Sequence, residues 1–129
     1  GCGRIAGHNC HAVMNTDGLQ LAAVCDLDIE KANTYGDEFG VSSFSNYHTM
    51  LTEISDIDIV AIITPSGMHY ENSLDILERY NKHIIVEKPI FMKPSHLEEA
   101  YSIANKLGLK IFPVMQGDIF LKEYHAWTA

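Results

Sequence analysis

The sequence predicts an α/β fold built on a doubly wound parallel sheet, and three observations carry that expectation. Short β-branched runs alternate with segments of helical periodicity along the chain. Helical segments of about ten residues between the strands imply right-handed crossovers, and so parallel neighbours. The apolar runs are nearly continuous, the pattern of strands covered on both faces.

The first element is a turn. In GCGRIAG, Gly1, Gly3 and Ala6 fit G-x-G-x-x-G/A. The first glycine makes a tight bend, the second lets backbone approach a pyrophosphate, and the third small residue lets a helix pack closely on the sheet. Closely spaced glycines alone also describe a plain turn. Residues 4–15 suit a helix whose N-terminal N–H groups and dipole favour an anion at that turn. LQLAAVCD, residues 19–26, reads as the next strand and ends in Asp26, about 20 residues past Ala6, where a carboxylate can accept from ribose hydroxyls. The simpler role for Asp26, with Asp28, is capping the helix that follows. Turn, helix, strand and acid in register favour the nucleotide reading. Such a turn needs a hydrophobic strand before it, and none precedes Gly1, so the first strand of the sheet is expected to be missing from this sequence.

The remaining elements follow in order. A helix fits residues 29–39 and is stopped by Gly40; a short strand fits 41–44; a helix fits 47–54. DIDIVAIIT, residues 56–64, is the clearest buried strand, with Ile57, Ile59, Val60, Ile62 and Ile63 all β-branched. After the loop TPSGMH come a helix over 70–80 and the strand HIIVE, 83–87. After the loop KPIFMKP come a helix over 95–107, ended by Gly108, and a strand over 109–114. Residues 1–116 read as one nucleotide-binding domain and 117–129 as a tail of unknown role.

In a parallel sheet of this type ligands bind beyond the carboxyl ends of the strands. That selects two loops besides the glycine turn. Thr64, Pro65, Ser66 and His69 offer hydroxyls, a stiff bend and an imidazole, and are equally the makings of a turn leading into a helix. Glu87, Lys88 and Pro89 follow the next strand. A lysine held there can bind a hydroxyl or take part in proton transfer, and the pair could equally be exposed without a role. Cys2, His8, Cys10 and His11 lack the spacing of two zinc-ligand pairs and read as ordinary turn and helix positions, so no metal is expected.

The chain of 129 residues is 47% hydrophobic and 20% charged, with a formal net charge of −8. Such a balance argues against a nucleic-acid or anionic-membrane surface. No transmembrane run is visible, and three cysteines do not suggest a disulfide framework, which makes a reducing cytoplasm the expected location.

GCGRIA, the strand ending in Asp26, TPSGMH and VEKP occur in the order found in the glucose-fructose oxidoreductase, inositol dehydrogenase and rhizopine-catabolism family. From Gly1 to about Gln116 the chain resembles that family's N-terminal domain, a Rossmann-type fold. The GRIAxxH, TPSGxH and V-x-Q pieces most resemble the branch acting on sugars and nucleotide-linked sugar acids. The resemblance implies that Gly1, Gly3, Arg4 and Ile5 line the pyrophosphate and nicotinamide side. It implies that Asp26 holds the adenosine ribose and favours NAD, NADP being the less expected cofactor because Leu27 is neither arginine nor small and polar. Thr64, Pro65 and His69 would line the cofactor cleft, and Glu87 and Lys88 would flank the nicotinamide ribose. Lys88 is the candidate catalytic group, touching substrate or tuning its proton transfer, and Gln116 would sit near the nicotinamide. The family's C-terminal substrate domain, which carries its main catalytic base and usually its oligomer interface, is absent from this sequence. Gly117 and Asp118 depart from the asparagine and arginine usual after V-x-Q. The implied function is hydride transfer between a sugar or nucleotide-sugar hydroxyl and NAD in a full-length parent, with little turnover by this chain alone. The alternative is a non-catalytic NAD-binding or interaction module. A flavodoxin-like or receiver domain has no use for the glycine turn or VEKP.

Overall fold

The computed structural model describes residues 1–114, which fall into two compact units, Gly1–Asp56 and the segment from Ile57 onward. All paired strands are parallel. They form two sheets, one of two strands in the first unit and one of three in the second.

The first unit runs α1 (Ala6–Met14), β1 (Ala23–Cys25), α2 (Ile29–Phe39), β2 (Ser42–Phe44) and α3 (Tyr47–Glu53). Helix α1 begins two residues later than its periodicity suggests. The chain first closes a turn in which the Ala6 N–H donates to the Gly3 carbonyl at 3.0 Å. β1 lies beside β2 with Ala23 opposite Ser42 and Cys25 opposite Phe44, and the Asp26 N–H extends the ladder to the Phe44 carbonyl. β1 is therefore much shorter than the apolar run 19–26, because only its last residues have a partner strand. α2 starts where the Asp28 carboxylate accepts from the Glu30 N–H at 3.0 Å, and it ends at Gly40, whose φ of 69° suits a residue without Cβ. Asn46 caps α3 through the His48 N–H at 2.8 Å. Cys2, Cys10, Val24 and Ala32 form the core, with Leu21, Tyr35, Phe39 and Val41 packed around them. Burying each large apolar side chain contributes about 1.5–3 kcal/mol.

The second unit runs β3 (Ile59–Ile62), a 3-10 turn (Ser66–Met68), α4 (His69–Tyr80), β4 (His83–Val86), α5 (Pro94–Leu107) and β5 (Ile111–Pro113). Its sheet is ordered β3-β4-β5, with Ile59 opposite His83 and Ile84 opposite Ile111. Flanking bonds lengthen the ladder: His83 N–H to the Asp58 carbonyl, Ile84 N–H to that of Lys110, and Val114 N–H to that of Val86. DIDIVAIIT differs from the fully buried strand its composition suggests. Val60 and Ile62 are buried, while Ala61, which points to the opposite face of the strand, is exposed; α4 packs against β3 and β4. Leu77, Ile84 and Val86 are fully enclosed, and α5 contributes Ala100 and Ala104. Pro94 opens α5, at a position where the missing N–H is no loss, and Gly108 closes it at φ 70°.

Candidate functional site

In the first unit the site grows from the glycine turn. Ala6 is buried, as close helix packing requires, and its neighbour Gly7 lies against Tyr35, where an added Cβ would sit 3.1 Å from the ring. Gly3 differs: a Cβ there would meet no atom within 4 Å. Among the described residues its small size serves no packing and leaves open space in front of the turn. No side chain caps the N-terminus of α1, and no acid stands in its first turn. Backbone donors at such an end attract an anion. A pyrophosphate fits this donor set.

Asp26, at the end of β1, is tied into the same turn. One carboxylate oxygen accepts from the Cys2 N–H at 2.7 Å, the other from the Asp28 N–H at 2.8 Å. Burial works to raise this carboxyl; the two N–H bonds, together with the positive charges of the N-terminus and Lys31, outweigh it and hold the group below the usual aspartate value. Capping of α2 falls to Asp28, so Asp26 is not the helix cap. A carboxylate accepts about four bonds, and two remain for ribose hydroxyls. Leu27 beside it is 83% exposed. Arg4 and Ile5 are exposed at the start of α1. The Tyr35 hydroxyl donates to the Gly3 carbonyl at 3.0 Å, which already accepts from Ala6. Burial pushes the thiols of Cys2, Cys25 and Cys10 up, the last to about 11, so all three stay protonated and unreactive near neutrality.

In the second unit, the strand-end loops after β3 and β4 meet at His69. Its ring is 1% exposed, with Nε2 2.7 Å from the Thr64 carbonyl and Nδ1 2.9 Å from the Pro89 carbonyl. The Thr64 hydroxyl donates to Asn72 at 3.0 Å. The Glu87 N–H continues the ladder to the Ile62 carbonyl, leaving its side chain half-buried at the strand end. Lys88 and Pro89 are exposed, with a cis peptide between them, and the Lys88 N–H donates to the Glu87 carboxylate at 3.3 Å. A lysine so placed can give or take a proton at a bound hydroxyl while its backbone is held by the strand.

Gly1, Gly3, Arg4, Ile5 and Asp26 are thus gathered at one end of the first unit, and Thr64, Pro65, His69, Glu87 and Lys88 at the strand ends of the second. Gln116 and the 117–129 tail lie outside the described residues. Residues missed by motif reasoning are Tyr35, Gly7 and Cys2, whose backbone N–H is the functional group. Tyr35 reads locally as a core position of α2, and nothing in its neighbourhood signals a bond to a carbonyl so distant in sequence.

The model of the oxidoreductase family with an NAD-binding Rossmann fold, GFO_IDH_MocA, matches residues 1–114. Among curated relatives, D-glucoside 3-dehydrogenase of Escherichia coli (strain K12) is 34% identical over 91 residues, covering 70% of this chain and 25% of that protein. Among solved structures, the WlbA dehydrogenase from Chromobacterium violaceum in complex with NADH and UDP-GlcNAcA is 30% identical with a TM-score of 0.81. The match covers 88% of this chain and 33% of that one. KijD10, a 3-ketoreductase from Actinomadura kijaniata in complex with TDP-benzene and NADP, is 25% identical with a TM-score of 0.80, the coverage being 88% and 35%. The chain spans between a quarter and about a third of the length of these relatives. Among the described residues no helix is long and apolar enough to cross a membrane.

Proposed function

Since the chain belongs to the GFO_IDH_MocA oxidoreductase family, we propose that it is the nicotinamide-nucleotide-binding part of an enzyme that oxidises a sugar or nucleotide-sugar hydroxyl. The observation that carries this reading is the Asp26 carboxylate bonded to the Cys2 N–H, beside the open space at Gly3 and the uncapped start of α1. The first unit then supplies the adenosine and pyrophosphate contacts: Gly1, Gly3, Arg4 and Ile5 along the turn, and Asp26 on the ribose. The family resemblance assigns Thr64 and Pro65 to the cofactor cleft, Glu87 and Lys88 to the nicotinamide ribose, and Gln116 to the nicotinamide.

We assign NAD over NADP. A carboxylate held ionised by two N–H bonds repels a 2′-phosphate, and the exposed Leu27 offers it no charge partner. A bound nicotinamide would supply the acceptor for the hydride from the carbinol carbon. Lys88 handles the hydroxyl proton, held where β4 ends and with a flexible stem that reaches outward. The substrate class rests on the sugar and nucleotide-sugar relatives, and little turnover is expected from this chain alone. The free cysteines with raised thiols fit a reducing cytoplasm.

NADH fluorescence titration of wild type and Asp26→Ala tests the first half. Loss of hydrogen bonds to a charged group, about 1.5–3 kcal/mol, weakens binding roughly ten- to a hundredfold; equal affinity removes Asp26 from the site. In the full-length parent, Lys88→Ala should reduce kcat by about a hundredfold or more. Unchanged turnover would dismiss Lys88. NADH binding with no turnover in the parent would leave a non-catalytic binding module.

A further inference from the structure

We propose that His69 is a positioning residue: its buried imidazole ties the carbonyl of Thr64 to that of Pro89 and so fixes the direction in which Lys88 leaves strand β4. Three observations carry this. First, the ring is 1% exposed, so it offers no surface to a bound ligand, although its place in TPSGMH suggests a cleft-lining group. Second, both ring nitrogens face main-chain carbonyl oxygens, at 2.7 and 2.9 Å. Carbonyl oxygens only accept, so every bond in the bridge is donated by the ring. A ring with one N–H bonds one carbonyl and turns a bare nitrogen's lone pair on the other; a ring with an N–H on both nitrogens makes both bonds, and the two distances below 3.0 Å are those of that ring.

Third, the two carbonyls belong to different loops. Thr64 follows β3, and Pro89 is one residue past Lys88 after β4. The strands are already paired up to Ile62 and Val86, and the Glu87 N–H bonds the Ile62 carbonyl. Beyond that point the sheet ladder no longer ties the loops together. His69 supplies that tie from the first residue of α4, which is anchored by Ser73, Ile76 and Leu77, all buried. The Ser73 hydroxyl donates back to the His69 carbonyl at 2.6 Å. The imidazole therefore stands on a rigid base and holds two loops by their backbones, so the tie does not depend on which side chains those loops carry.

The link to Lys88 rests on the function proposed above, and the test separates the two. Amide hydrogen exchange is followed in wild type, His69→Leu and His69→Gln, the last keeping one side-chain donor. His69→Leu should exchange at least tenfold faster at the amides of residues 64, 66–68, 88 and 90–92, with the β3 and β4 amides and that of Glu87 unchanged, and His69→Gln should recover part of the protection. Unchanged loop exchange, or faster exchange spread equally through the core, overturns the proposal. The lysines are also reductively methylated with a carbon-13 label and NADH is added. At NADH concentrations that saturate each protein, the Lys88 signal should shift in wild type and fail to shift in His69→Leu. A Lys88 shift that persists in the variant also overturns the proposal. Failure of wild type to bind NADH defeats the nucleotide reading, while the exchange data still decide the bridge.

Discussion

At the residue scale, Asp26 carries the clearest consequence. Its folded carboxyl lies below the ordinary value of 3.8, so its bonds to the Cys2 and Asp28 N–H groups stabilise the fold at pH values above that number. The contribution disappears as pH falls through the folded value. Thermal melts should show Asp26→Asn below wild type at pH 7, and the gap should close on acidification below about pH 4. A gap independent of pH would mean that packing, not charge, explains the difference. Much of this residue's environment was legible: a strand ending in an acid, a fixed distance beyond a glycine turn. Its bond to Cys2 was not, because a backbone N–H leaves no mark in a sequence. The same holds for His69. Its place in TPSGMH singled it out, but its burial depends on the Pro89 loop, which comes close only when the parallel strands pair.

At the scale of elements, the helices were the most legible parts, since their ends are written in local chemistry. Asp28, Asn46, Gly40 and Gly108 stand where the helices start and stop. Strand lengths were less legible, because a strand extends only as far as its neighbour does, and partners far along the chain set that limit for β1 and β3. One packing contact gives a sharp test. An added Cβ at the buried Gly36 of α2 would lie 2.9 Å from the Val41 carbonyl oxygen and 3.1 Å from the Ser43 Cβ. Both belong to the segment that forms β2 or leads into it, so neither can move as a side-chain tip would. Gly36→Ala should destabilise by about 1–3 kcal/mol despite alanine's better helix propensity. Denaturant unfolding at constant m-value measures this, and a more stable variant would show that the segment relaxes freely.

At the scale of the whole molecule, the formal charge of −8 opposes an anionic dinucleotide at long range. Salt screens that field over about 10 Å at 0.1 M. Stopped-flow association with NADH should therefore speed up modestly between about 10 and 150 mM salt, whereas a site surrounded by net positive charge would slow. On the proposed assignment, the carboxylate that favours NAD is the same one that accepts from the Cys2 and Asp28 N–H groups and braces the turn. On the same assignment, redesign toward NADP would begin by replacing Asp26 and giving Leu27 a positive charge. A replacement without a side-chain oxygen leaves the Cys2 and Asp28 N–H groups without their acceptor and loosens the turn. A serine or asparagine at position 26, which retains an oxygen for those donors, is the more workable starting point. If Asp26 sets cofactor preference as proposed, any substitution there changes preference and turn stability together.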